Sequence, residues 1–478
     1  MNEKIINITF SFLLAAFVAF LTFFIVYKAQ WLIGDDAIVV AHTGWGHFFN
    51  PADTVNPNAG RFYPLAYFVY NILWVLGLNS VNAHFALMAI VFVCFAIVTS
   101  VLGKISVEKN TDAVWFWLFV FFFVAICIQR SYNNFLYAYS TIWFDYFLIV
   151  LWALCTVFVH TKQSNMAAII GFFSVSYLCY CLESNFLLPF IYGICGLLFS
   201  LKKSSQLEKA YLISMVGTSI LFLVLYFFIC YVHIDQAYDG SHGSTDSLIT
   251  NAVKMFFAQK VLWIGFIVLI IRLYQVLVKK EQYEFWDSML FTSFAFCLGC
   301  AILKLNWVLY YSLASLFMLP AIFQYMTRYL NKKVVFVLIV FLALYMCRTL
   351  PKYINTNQNC RHDANLMWNT LAIAKQDGIP VYWFEPVDEK DMSYDKELRV
   401  WLKSSGQTIL GYFVSDENYK WNVLSKYERK QGYYMLPGLN EKIVPNSKKQ
   451  ILEEGTIILG KGNDGLVLVN INVSEEKK

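Results

Sequence analysis

Charge is what this 478-residue sequence has least of. Asp, Glu, Lys and Arg make up 14% of it, where a soluble protein carries roughly 25%. With 58% hydrophobic residues and a mean hydropathy of +0.53, a purely soluble enzyme is excluded. Disorder is excluded too, because 18% of the chain is aromatic and disordered chains are poor in aromatics. A disulfide framework is missing. Ten of the eleven cysteines lie at or before Cys347, in apolar sequence where Cys acts as a small hydrophobe, and Cys360 stands alone after it. The pair Cys297 and Cys300 reads CxxC, but inside the apolar run FAFCLGCAI, which favours packing over metal or redox work. Internal repeats, low-complexity stretches and an inverted pair of broken helices are also lacking, which weighs against a typical secondary transporter. The first apolar run lacks an A-x-A cleavage site, so it is expected to stay as an anchor.

The few charges are unevenly placed. Residues 1–350 hold 20 Lys+Arg and 15 Asp+Glu, whereas the much shorter 351–478 holds 17 and 17. The first part is expected to be a membrane domain and the second a small soluble one. The net charge of +5 sits entirely in the first part, where orientation signals account for it, and no nucleic-acid partner is implied.

A spanning helix needs roughly 20 mostly apolar residues. Eleven such runs are expected, near 5–26, 81–103, 113–129, 138–159, 166–182, 185–200, 211–232, 259–278, 288–304, 306–325 and 334–350. Placing the N-terminus in the cytoplasm puts thirteen basic residues in the inner connections and seven in the outer ones, as the positive-inside rule requires. Eleven spans then carry the tail outside. The acids divide eight outside to seven inside. The inner ones, such as Glu108, Glu208 and Glu281, mostly sit beside a Lys and read as solvated loop charges. Several outer ones lie against apolar segments with no adjacent cation, as a working site on the outer face or chance loop composition would leave them.

The first outer loop, 27–80, holds the most chemistry. A short helix is expected at Asp36–Thr43, then turn residues from Asn50 to Gly60, then the aromatic stretch Arg61–Leu76 along the outer interface. Asp35 and Asp36 follow Gly34 shortly after the first span. A carboxylate at this depth can take a proton from a hydroxyl nucleophile, and apolar walls with a neighbouring acid raise its pKa. The same pair also suits a helix cap before Ala37-Ile38-Val39-Val40.

At this point the sequence resembles the polytopic GT-C glycosyltransferases. Gly34-Asp35-Asp36-Ala37 is similar to the acidic signature those enzymes carry just after the first span. Gly60-Arg61-Phe62-Tyr63-Pro64-Leu65 is similar to the Gly/Arg/Pro-rich stretch before their second span. The layout agrees: inner N-terminus, about eleven spans, outer C-terminal domain. The local motif covers only about 35 residues, and Asp36 stands where many members have Glu. The resemblance implies inverting sugar transfer from a polyprenyl-phosphate donor on the outer face, with Asp35 as the base.

Other residues join this set as candidates. Asp145, in the outer half of the fourth span within YAYSTIWFDYF, is costly to bury and functional by default unless a cation such as Arg130 pairs with it. Arg61, Arg130 and Lys304 are outer cations suited to the departing phosphate, or else to snorkelling. Glu183 and Asn185 occupy the turn after the fifth span, where Glu183 is a substrate contact or a solvated acid. His47 and Tyr63 are candidate substrate contacts. Tyr132, Asn133, Asn134, Tyr137 and Tyr139 suit sugar binding or an interfacial belt. The His and Asp residues of 233–258 match no standard metal spacing, so no metal or cofactor is expected.

The tail is expected to be a small mixed α/β domain. A helix is expected at Asn365–Lys375 and strands at 380–384, 408–414, 432–436, 455–459 and 465–471. It has no GxGxxG, no P-loop and no Ser/His/Asp cue. The combined expectation is a GT-C-like bundle, 1–350, with an extracytoplasmic domain, 351–478. It would sit in a bacterial inner membrane and use a polyprenyl-phosphate sugar and a glycan, lipid or protein acceptor. The competing readings are a transporter or flippase for a lipid-linked glycan, and a non-catalytic assembly protein.

Overall fold

The structure is a computed structural model and describes residues 3–31, 55–56, 61–78, 80–106, 141–200, 204–233, 249–250, 253, 256–257, 260–302, 308–329, 331–384, 422–424, 426–436, 446–460 and 467–472. The described chain is mostly helical, with one small sheet near the C-terminus.

Ten of the eleven expected spans fall on helices. In chain order these are α1 (Glu3–Val26), then, after the short α2 (Phe68–Val75), α3 (Val81–Ser106), α4 (Thr141–Lys162), α5 (Asn165–Cys181), α6 (Leu187–Ser200), α7 (Gln206–Ile229), α8 (Lys260–Leu277), α9 (Phe285–Ile302), α10 (Val308–Tyr329) and α11 (Lys332–Gln376). The span expected at 113–129 lies outside the described residues. Among the described residues, four segments are long and apolar enough to cross a membrane alone: Val81–Ser106, Phe144–Lys162, Gln206–His233 and Phe285–Ile302. Helix α10 is buried almost all round, and its Phe317 stacks on Trp152 of α4 at 4.2 Å. A helix apolar on every side belongs in the middle of a bundle. Cys297 and Cys300 are buried in α9, as packing requires, and no group of metal-ligating side chains occurs among the described residues.

Of the acids expected to be solvated, Glu208 departs from that reading, whereas Glu281 is exposed. Glu208 is buried and accepts from Ser205 N (2.7 Å) and Gln163 Nε2 (2.9 Å), with His160 Nδ1 at 3.2 Å. With Ser205 it forms the capping box of α7. Glu281 pairs in space with Arg272 rather than with its sequence neighbour Lys280. Arg272 is itself buried and holds Asp287 at 2.7 Å, while Tyr325 donates to the same carboxylate at 2.6 Å. These charges tie α8, α9 and α10 together at one end, because a buried guanidinium must be matched by acids.

Helix α11 runs without a break through residues 350 and 351, where the two parts were expected to meet. Its first half exposes Val334, Val337, Phe341 and Leu344. Its second half buries Cys360, Arg361, Ala364, Met367, Trp368, Leu371 and Ala374, one face at helical spacing. It ends in a Schellman turn. Gly378 has φ +66°, and Ile379 N bonds Ala374 O at 2.8 Å.

The sheet follows, with strands β3 (Val381–Phe384), β4 (Asn422–Leu424), β5 (Gly432–Leu436), β6 (Thr456–Leu459) and β7 (Val467–Ile471), and helix α12 (Asn446–Glu454) before β6. The strand order is β4-β3-β5-β7-β6, with β3 parallel to both its neighbours and β7 antiparallel to both of its own. Alternate residues face two cores. Val381, Trp383, Tyr433 and Met435 join the main core with the end of α11, while Tyr382, Phe384, Tyr434 and Leu436 pack with Ile451 of α12. The sequence pattern anticipated β3, β5, β6 and β7. It missed β4 and α12, and the strand expected at 408–414 lies outside the described residues.

Candidate active site

The described part of the 27–80 loop packs onto the turn between α5 and α6. The Glu183–Phe186 turn, a single 3-10 turn, buries Ser184 and Asn185, and the loop packs on it.

Three hydrogen bonds make the joint. Phe62 N donates to Glu183 Oε1 at 3.0 Å. Leu65 N donates to Tyr180 O at 3.1 Å, and Tyr177 OH donates to Leu65 O at 3.0 Å. The strand pair β1 (Val55–Asn56) and β2 (Arg61–Phe62) presents Phe62, whose buried ring packs on Tyr180, Phe222 and Tyr226. Helix α2 follows and closes in a Schellman turn at Gly77, φ +72°. Its Tyr70 stacks on His84 of α3 at 5.8 Å, and Trp31, just beyond α1, meets the same imidazole at 5.0 Å.

Beneath this joint sits Asp145. It is 1% exposed, and its side-chain partner among the described residues is Asn185, from that buried turn. Asn185 Nδ2 also donates to Leu178 O at 3.1 Å. Asp145 Oδ1, Ser184 Oγ and Asn185 Oδ1 are buried and have no hydrogen-bond partner among the described residues. Buried polar atoms are nearly always satisfied, so an unfilled oxygen on Asp145 and another on its neighbour Asn185 mark a place that can receive donors, such as hydroxyls. Asp145 also lies close enough to Tyr177 and Cys181 to act on them electrostatically.

The structure thus gathers part of the expected set. Asp145, Glu183 and Tyr63 belong to one end of the bundle, together with the backbone of Arg61. Glu183 is neither a free solvated acid nor idle, since it holds the loop backbone. Tyr63 is half-buried, with its ring edge-on to Tyr67 at 6.2 Å. The Arg61 side chain, and Asp35, Asp36, His47, Arg130, Lys304 and the Tyr132–Tyr139 cluster, lie outside the described residues. Tyr177, Ser184, His84 and Trp31 escaped the sequence reading. Ser184 carried a signal, as the middle of a polar Glu-Ser-Asn triplet between apolar runs. The others read as ordinary core residues.

Two solved structures align with nearly the whole chain. The chain is similar to ArnT from Cupriavidus metallidurans bound to undecaprenyl phosphate, with 10% identity and a TM-score of 0.49 over 97% of this chain and 98% of that one. ArnT from the same organism in the apo state gives 11% identity and a TM-score of 0.48 over 96% and 97%. No family model matches, and no curated protein matches.

Proposed function

We propose that this chain is a membrane glycosyltransferase of the GT-C type. It moves a sugar from a polyprenyl-phosphate donor to an acceptor hydroxyl on the outer face of the membrane. The observation that carries the reading is the joint between the described part of the 27–80 loop and the Glu183–Phe186 turn. It brings Phe62 and Leu65, from the Gly60–Leu65 motif, against the turn that carries Asn185, the partner of the buried carboxylate Asp145.

In this reaction Asp35, supported by Asp36, takes the proton of the acceptor hydroxyl. The oxygen attacks the anomeric carbon from the face opposite the phosphate. The bond from anomeric carbon to phosphate oxygen breaks, and configuration inverts. Arg61, with Arg130 or Lys304, meets the charge that develops on the departing lipid phosphate. Asp145 orients hydroxyls, and His47 and Tyr63 contact the sugar. No nucleotide fold is needed, because the donor is lipid-linked, and the scheme calls for no resident metal. The tail, 351–478, lies outside the cell membrane on the acceptor side. The donor class, the inversion and the role of Asp35 follow from the family resemblance of the motifs.

A lipid-linked-glycan transporter would call for charges in mid-span. The buried charges Glu208, Arg272 and Asp287 each lie within two turns of a helix end, as transfer calls for. The test is transfer of labelled sugar from a panel of polyprenyl-phosphate donors by membranes bearing wild type or Asp35→Asn at matched levels. Loss of transfer with donor binding retained supports the base assignment. Wild-type transfer from no donor in the panel would overturn the enzyme reading.

A further inference from the structure

The unfilled oxygens of Asp145 and Asn185 are closed off in this structure. Both residues are buried, so a ligand reaches them only after something moves. Asp145 belongs to α4 and Asn185 to the Glu183–Phe186 turn, while Tyr177 and Cys181, on which Asp145 acts electrostatically, belong to α5. The 61–66 segment completes the surround. Its Leu65 O accepts from Tyr177 OH at 3.0 Å and lies 4.0 Å from Cys181 Sγ. The two α5 side chains that Asp145 acts on therefore also meet this segment.

These elements are not held alike. Helices α4 and α5 satisfy their backbones internally, and moving either would unpack the bundle core. The 61–66 segment is fastened to the bundle by Phe62 N to Glu183 Oε1, Leu65 N to Tyr180 O, Tyr177 OH to Leu65 O and the Phe62 ring on Tyr180, Phe222 and Tyr226. When it lifts, water can take over its polar groups. Segments held in this way supply the low-energy local openings of a protein. The fastening and the site also share parts. Glu183, which holds Phe62, stands two residues from Asn185 in one 3-10 turn, and Tyr177 bonds the segment from beside Asp145.

We propose that the 61–66 segment is the gate of the Asp145–Asn185 site. A ligand hydroxyl donates to Asp145 Oδ1 or Asn185 Oδ1 once the segment has lifted from Glu183. A ligand that binds only the open form shifts the population toward it. That the ligand is a lipid-linked sugar rests on the transferase reading above, and the gate does not.

Cys181, the native thiol beside Leu65, reports the opening. Membranes bearing the full-length chain are treated with N-ethylmaleimide, and alkylation is followed residue by residue by mass spectrometry. Cys155, buried within α4, is the reference. Glu183→Ala and Phe62→Ala are each expected to raise the rate at Cys181 at least tenfold and to leave Cys155 within twofold. Phe62→Ala alters no charge, so it guards against an effect of the lost carboxylate on the thiol. In Glu183→Ala, a polyprenyl-phosphate hexose from the donor panel is expected to slow Cys181 alkylation at least threefold, and adding Asp145→Asn is expected to abolish that protection. Unchanged Cys181 alkylation in both variants, or an equal rise at Cys155, overturns the gate. A rise confined to Cys181 upholds the gate even if the wild type transfers no sugar, in which case the transferase reading alone falls. Protection that survives Asp145→Asn, or no protection by a donor that the wild type does transfer, overturns the assignment of the ligand to this site.

Discussion

Removing the Glu183 carboxylate should loosen the 27–80 loop without unfolding the bundle. Phe62 is buried, and its N–H has Glu183 Oε1 as acceptor at 3.0 Å. A hydrogen bond to a charged group contributes about 1.5–3 kcal/mol, and leaving the donor orphaned costs a similar amount. Glu183 is only partly buried, so a figure of about 2 kcal/mol is appropriate for Glu183→Ala. At ~1.4 kcal/mol per tenfold, that favours loop opening by about 30-fold. Glu183→Gln keeps a neutral acceptor oxygen and should cost about 1 kcal/mol, or about fivefold. The bonds Leu65 N to Tyr180 O and Tyr177 OH to Leu65 O persist in both variants. The effect should therefore stay local to β2 and the residues beside it. Hydrogen exchange read by mass spectrometry on peptides covering 61–66 measures it directly, with the α12 peptide as an internal reference. The expected order of exchange is Ala faster than Gln, faster than wild type. Equal exchange in all three would falsify the role given to Glu183, and faster exchange everywhere would mean that the turn, not the loop, had failed.

Other outcomes follow from the same structure. Asp145→Asn removes a buried charge but keeps the side chain's shape beside Asn185. The melting temperature should hold or rise while sugar transfer drops at least tenfold, and a lower Tm with normal transfer would make Asp145 structural. Arg272→Met strands Asp287 in the core and should cost about 3–5 kcal/mol in thermal unfolding, most of it regained in the double variant with Asp287→Leu. Glu281 titrates below its ordinary value of 4.5, held down first by the Tyr329 hydroxyl and then by Arg272. A depressed carboxylate adds stability above its unfolded pKa and loses it as pH falls through the folded one. The Tm advantage of wild type over Glu281→Gln should therefore be full at pH 6 and shrink toward zero below about pH 4.

The elements that the sequence foretold are those with strong local signals. The apolar runs of α1 and α3 to α10 stand out because a membrane solvent forces each backbone to satisfy itself within one helix. Strands β3, β5 and β7 were readable from dense aromatic and β-branched runs. Strand β4, three residues long, had too little pattern to register. The continuity of α11 was hidden because Pro351 and a sharp rise in charge suggest a boundary. Pro removes one hydrogen bond, and a 45-residue helix held along its face tolerates that. Around the candidate site, Asp145 and Glu183 were visible as acids out of place among apolar residues, whereas Tyr177 and Trp31 looked like any aromatic beside a membrane.

Composition and order alone determined that this chain is a helical membrane protein with a charged, sheet-forming tail, because apolar length and charge density are properties a linear string carries. They also singled out the acid pair and the Gly60–Leu65 stretch. Only the tertiary structure decided what meets what. Glu183 reaches Phe62 across 121 residues and Arg361 reaches Tyr27 across 334. Such partners are chosen by where the loop meets the buried Glu183–Phe186 turn and how a long helix folds back over the first one. No local periodicity encodes that choice, which is made when the packed bundle leaves each buried donor and carbonyl a particular partner.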